Sequence, residues 1–140
     1  GQWVDVVGVS KGKGIQGAVK RWGVAILPHK SRKTTRGVGS IGGWNPSYVM
    51  RFVPRAGQTG FHPRTERNKQ VIKIGTSGSE ATPKGGFIRY GIVAGDYVML
   101  RGSIPGSTRR TITIRYASRP SAPLEPPKIE YLHLDSRQAR

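Results

Sequence analysis

Between Asp5 and Glu66 the chain has no carboxylate, and those 60 consecutive residues carry 11 lysines and arginines with nothing to neutralise them. The counter-charge for such a run comes from a partner, and a polyanion fits. Each phosphate neutralised releases condensed counterions and adds affinity that does not depend on sequence. Cysteine is absent altogether, which excludes disulfides and thiolate-bound zinc and argues against a disulfide-framed secreted fold. No apolar run approaches the ~20 residues of a bilayer span, and Gly1-Gln2-Trp3 opens without a hydrophobic signal segment. The expectation is a soluble intracellular chain with no membrane partner, and its start at Gly1 rather than Met is compatible with a fragment.

Apolar residues are also scarce. They make up 35% of the 140 residues, beside 20 glycines and 10 prolines, against the ~45–50% usual in globular domains. One small core is expected, with the rest as extended chain. The net charge of +17 adds self-repulsion, so the free chain should be salt-sensitive and only partly ordered.

Residues that do chemistry are few and scattered. His29, His62 and His133 show no metal-ligand spacing. Asp5, Glu66, Glu80, Asp96, Glu125, Glu130 and Asp135 form no evident acid–base pair, and no nucleophile elbow is present. No catalytic residue, metal site or cofactor is assigned, and the chain reads as non-enzymatic.

Gly12-Lys13-Gly14-Ile15-Gln16-Gly17 matches the dinucleotide-binding GxGxxG pattern literally. That pattern needs a following helix and an acid roughly 20 residues on, and no acid lies between Val6 and Thr65. Gly8 to Lys13 is no P-loop either, since its glycines stand too close together and Gly14 takes the place of Ser or Thr. A basic turn with Lys11 and Lys13 touching phosphates is the better reading.

Along the chain, Trp3–Val9 reads as a strand, and Val71–Ile74, Phe87–Tyr90, Tyr97–Leu100 and Thr111–Tyr116 as further strands separated by glycine turns at barrel-like spacing. No helix longer than about two turns is expected. From residue 24 to 66 periodicity vanishes among closely spaced glycines and prolines. A structureless loop of that length is either disordered or ordered by a partner. Trp44, Tyr48, Phe52 and Phe61 lie within it, and disordered segments are usually poor in aromatics, so an extension ordered by a partner is preferred. Residues 120–140, with Pro120, Pro123, Pro126 and Pro127, read as a stiff tail with polyproline character.

The densest charge is His29-Lys30-Ser31-Arg32-Lys33-Thr34-Thr35-Arg36. Alone, it reads equally as a solvated loop or a localisation-like patch. The acid-free window around it and the nearby Trp44 favour phosphate contact. Trp44, between Gly42-Gly43 and Asn45-Pro46, is either a core residue or a platform for an unpaired base. Trp3 and Trp22 flank strand-like runs and are assigned to the core.

Taken in order, Trp3-Val4-Asp5-Val6, Ser10 to Gly17, Lys20-Arg21-Trp22-Gly23, Leu27 to Lys33, Ile41 to Pro46, Arg55 to Gly60 and Gly102 to Gly106 resemble the ribosomal protein L-three family of the large subunit, in its archaeal and eukaryote-like form. The resemblance covers nearly the whole chain. It implies an all-β fold, a small β-barrel of the translation-protein type, with a long basic extension threading into ribosomal RNA toward the peptidyl transferase centre. The barrel would comprise residues 1–23 and 67–119 and the extension 24–66. Trp44 would sit at the tip of the extension, His29, Lys30, Arg32, Lys33 and Arg36 on its basic shoulder, and Arg55, Gly57, Gln58 and Gly60 on the returning strand. The family's amino-terminal portion is missing, so the barrel is expected to be incomplete or self-paired, with a homodimer if its edges stay open.

The resulting expectation is a structural component of the cytoplasmic ribosome that binds large-subunit ribosomal RNA and neighbouring ribosomal proteins and aids assembly. Its candidate RNA contacts are Lys11, Lys13, Lys20, Arg21, His29, Lys30, Arg32, Lys33, Arg36, Trp44, Arg51, Arg55, Gln58, His62 and Arg64. The alternative is a stand-alone barrel module for single-stranded nucleic acid, which would use the same stacking and basic groove.

Overall fold

The computed structural model describes residues 1–121 and 125–136. Pro123 and the last residues of the expected tail lie outside them. The chain divides into two compact units, one formed by Gly1–Ser10 with the described residues from Pro63 onward, the other by Lys11–His62.

The first unit is an antiparallel sheet. Its strands are β1 (Trp3–Val9), β4 (Pro63–Gly75), β5 (Tyr97–Leu100) and β6 (Thr113–Tyr116), in the order β5-β4-β1-β6. Strand β1 is central and largely buried, as its run of β-branched residues requires. Val4, Val6 and Val71 form the core, with Leu100 and Ile112 packed against them. Such a core is small, in line with the low apolar content. Among the described residues the sheet is open, with β5 and β6 at its edges, so the barrel expected from the resemblance is not closed here.

A bulge shapes the middle of the sheet. Val4 pairs with Lys69 and Val6 with Glu66, so β4 carries one extra residue opposite Asp5. Asn68 takes up the bulge with φ 54°, a left-handed conformation that Asn tolerates better than most residues. Its freed backbone N–H donates to Asp5 Oδ1 at 3.1 Å. The backbone N–H freed by the bulge is thus paired inside the fold, while Asn68 Oδ1 is buried without a hydrogen-bond partner among the described residues.

At the other end of β4, Gly75 pairs with Tyr97, whose ring lies directly over the glycine where any side chain would collide. Lys73 donates to Glu80 at 2.6 Å. That bond, then one with Tyr97, holds the ammonium above its ordinary pKa.

One expected strand is absent. Phe87–Tyr90 turns back on itself: Phe87 N–H donates to Gly91 O and Gly91 N–H to Phe87 O, each at 2.9 Å. Arg89, at φ 62°, and Gly91, at φ 101°, both leave the extended region. Apolar content alone made these residues look like a strand.

The second unit holds a short antiparallel pair, β2 (Ile15–Gln16) and β3 (Gly57–Gln58), and the five-residue helix α1 (Ala18–Trp22). Between α1 and β3 the chain forms turns and bends without a helix or strand. No helix among the described residues is long and apolar enough to cross a membrane.

Candidate nucleic-acid interface

The Lys11–His62 unit contains no Asp or Glu and ten lysines and arginines. No ion pair can form within it. The ion pairs Lys69–Glu66, Lys73–Glu80, Lys84–Asp135 and Arg115–Asp5 lie in the first unit.

The base of this unit is built by main-chain bonds. Lys13 N–H donates to Thr59 O at 2.8 Å, and Thr59 N–H to Gly14 O at 2.9 Å, extending the β2–β3 pair. This joins the outgoing turn, with Lys11 and Lys13, to the returning strand. Helix α1 fastens the same place. Arg21 donates through Nε to Gln58 O at 3.2 Å and through a terminal nitrogen to Arg55 O at 3.1 Å, and Trp22 Nε1 donates to Arg55 O at 3.1 Å. The Arg21 guanidinium also lies 5.1 Å from the centre of the Trp22 ring, within cation–π range. Arg21, Arg55 and Gln58, each a candidate RNA contact, thus meet in one clasp. The Gln58 side chain itself folds back onto Thr59 O and Gly60 O.

The basic shoulder is a closed loop. Leu27 N–H donates to Thr35 O at 2.9 Å, Ser31 N–H to Pro28 O at 2.9 Å, and Thr34 N–H to Arg32 O at 2.8 Å. Lys33, at φ 65°, supplies the left-handed residue that reverses the chain. Pulling the loop shut on itself leaves His29, Lys30, Arg32, Lys33 and Arg36 arrayed around it, all of them exposed. These five side chains, and those of Lys11, Lys13, Lys20, Arg51 and Arg55, make no hydrogen bond or ion pair with any described residue. A dense set of unneutralised cations on a pre-formed loop suits phosphate binding.

Trp44 is 97% exposed, and its indole has no hydrogen-bond or ring partner among the described residues. Of its two readings, the core one is excluded. Trp22 departs from its expected core position, since it is 57% exposed and held through its ring nitrogen rather than by burial. Phe52, Tyr48 and Phe61 are exposed as well, and none of them is among the contacts expected from sequence. Their signal was available: aromatics in a stretch broken by glycines and prolines, without the periodicity of a helix or strand, have no regular element to carry them into a core. Faces of this kind stack on unpaired bases.

Two candidates remain. His62 closes the second unit and is partly buried. Arg64 lies on β4 in the first unit and is exposed. No group of three or more His, Asp or Glu among the described residues is placed to hold a metal ion.

A family model described as Ribosomal protein L3 matches residues 1–138. The large ribosomal subunit protein uL3 of Methanocaldococcus jannaschii is 50% identical over 143 residues, covering 100% of this chain and 43% of its own length. Its counterpart in Methanopyrus kandleri is 50% identical over 142 residues, covering 99% of this chain and 39% of that protein. That of Archaeoglobus fulgidus is 50% identical over 143 residues, with coverage of 100% and 43%. The chain spans about two fifths of the length of these curated relatives.

Proposed function

The chain belongs to the ribosomal protein L3 family, and on that premise we propose that it is a structural, non-enzymatic constituent of the large ribosomal subunit that binds large-subunit rRNA through its Lys11–His62 unit. One observation carries the reading: a carboxylate-free unit with ten cations presents Trp44 almost fully exposed. A free protein gains nothing from that arrangement, whereas RNA supplies both the missing counter-charge and a stacking partner.

In this reading Trp44 is the tip of an extension directed toward the peptidyl transferase surroundings. His29, Lys30, Arg32, Lys33 and Arg36 form its basic shoulder, Lys11, Lys13, Lys20, Arg51 and Arg55 line its flanks, and Arg21 and Gln58 hold its neck together. Contact with RNA offsets the entropy of ordering a segment without helix or sheet. The chain aids assembly and shapes the environment of peptide-bond formation without taking part in the chemistry. It works in the cytoplasmic ribosome, beside neighbouring ribosomal proteins. Away from RNA, the open edges β5 and β6 offer unpaired backbone groups to a second copy, which sedimentation of the free chain would detect as a dimer.

Binding to a folded large-subunit rRNA fragment and to a random single strand of equal length, compared at moderate salt, tests the reading. A clear preference for the fragment is expected. Equal affinities would instead identify a stand-alone module for single-stranded nucleic acid.

A further inference from the structure

The first unit carries a second run without carboxylates. From Tyr97 to Leu124 there is no Asp or Glu, and the five cations present, Arg101, Arg109, Arg110, Arg115 and Arg119, are all arginine. Arginine rather than lysine suits planar, bidentate recognition of phosphate and stacking against flat groups.

Two of these arginines border a shallow, open cleft of about 590 Å³ together with Tyr90, Ile92 and Thr111. Its geometry is held from both sides. Arg109 donates to the carbonyl of Tyr90 at 2.9 Å, which fixes a guanidinium beside the aromatic residue. Tyr90 is itself set by the closed turn at Phe87–Gly91, its N–H donating to Phe87 O at 3.1 Å. On the facing segment Arg110 N–H donates to Ser107 O at 3.2 Å.

Both segments are also strained. Arg89 has φ 62° and Arg109 φ 69°, a left-handed backbone that residues with a side chain seldom adopt. Strain of this kind gathers where a fold presents groups to a ligand. The cleft mouth is apolar on one side: Ile92 is 73% exposed and Tyr90 45%. Phosphate-binding cations, an aromatic face, an exposed aliphatic edge and a hydroxyl at Thr111 therefore share one site.

We propose that this cleft seats an unpaired nucleotide of RNA, with its phosphate on Arg109 and Arg110 and its base against Tyr90 and Ile92. The proposal rests on the rRNA-binding role given above and adds a site in the other unit of the chain. An acidic protein segment would satisfy the arginines alone and leave the aromatic and aliphatic surface without use, which favours RNA.

The test uses the full chain with a transcribed large-subunit rRNA. Ultraviolet crosslinking followed by peptide sequencing should place a nucleotide adduct on Tyr90. Arg110→Gln leaves the Arg109–Tyr90 bond intact and should flatten the slope of log affinity against log salt by about 0.7–0.9, one phosphate's share. Arg109→Gln with Arg110→Gln should roughly double that change and remove the adduct, circular dichroism meanwhile reporting the wild-type fold. A wild-type chain that binds the transcript with no adduct at Tyr90 and an unchanged slope in Arg110→Gln would overturn the cleft while leaving the rRNA reading intact. Failure of the adduct to form when poly-glutamate, at charge concentrations equal to the RNA, is present before irradiation would also overturn it, in favour of a protein partner. A wild-type chain with no affinity for the transcript would remove the rRNA reading and this proposal together.

Discussion

Asp5 and Ser118 are joined twice: Oδ2 of the fully buried Asp5 carboxylate accepts from the Ser118 backbone N–H at 3.2 Å and from its hydroxyl at 3.1 Å. Oδ1 accepts from the bulge N–H of Asn68, and Arg115 stands 3.6 Å from Oδ2. Burial pushes the carboxyl up. The N–H groups of Ser118 and Asn68, the Ser118 hydroxyl and the Arg115 charge outweigh it, and hold the pKa below its ordinary value. One acid on β1 thereby ties together the bulge of β4 and the segment following β6.

A carboxyl whose folded pKa is depressed contributes stability that is fully present above its unfolded value of about 3.9, and loses it as pH falls through the lower folded value. Asp5→Asn should therefore lower the melting temperature at pH 7 by about 5 °C or more, and the gap to wild type should narrow as the pH drops below about 4. Thermal unfolding across that range is the check. A gap independent of pH would mean that Asp5 acts by shape alone.

Strands β1 and β5 were legible in the sequence because β-branched and apolar runs bounded by turn residues have few other uses, and the charge of the loop around Lys30 was legible because it needs no geometry. What escaped depends on residues distant along the chain. Asp5 reads as a lone acid until Asn68 and Ser118, 63 and 113 residues away, reach it. Phe87–Tyr90 looked like a strand because the left-handed Arg89 leaves no mark in composition. Trp22 looked like core because the partner of its ring nitrogen, Arg55 O, lies 33 residues on. The Tyr90–Arg109 pairing, 19 residues apart, was hidden for the same reason.

Two glycines of the second unit should respond differently to alanine. Gly14 has φ 65° with open space where a Cβ would stand, so Gly14→Ala should cost only the left-handed penalty of about 1–2 kcal/mol. Gly60 has φ 71°, and its Cβ would overlap the Lys11 carbonyl oxygen, so Gly60→Ala should cost at least about twice as much. Hydrogen exchange at the Lys13 and Thr59 amides reads both. Equal protection in the two variants would contradict the close packing at Lys11.

The Arg21 clasp grades two further variants. Trp22→Phe removes one donor but leaves Arg55 O satisfied by Arg21, so the unit should lose about 0.5 kcal/mol. Arg21→Lys removes the planar fork that spans two carbonyls and should loosen the neck more. Limited proteolysis within residues 24–56 should be faster for Arg21→Lys than for Trp22→Phe. The reverse order would place the clasp on the indole.

Because Trp44 touches nothing that holds the fold, Trp44→Ala should leave thermal stability within about 0.5 kcal/mol of wild type. Affinity for large-subunit rRNA should nevertheless fall by about 1–3 kcal/mol, the worth of one stacked base. Unfolding of the free chain by this change would contradict the exposed placement.

The salt dependence of binding to large-subunit rRNA tests the central claim most directly, with wild type compared against Lys30→Gln, Arg32→Gln and Lys33→Gln combined. If the basic loop grips phosphates, the slope of log affinity against log salt falls by about 0.7–0.9 for each phosphate no longer neutralised. An unchanged slope would mean that the loop is only solvated and that the charge of the Lys11–His62 unit serves some other end.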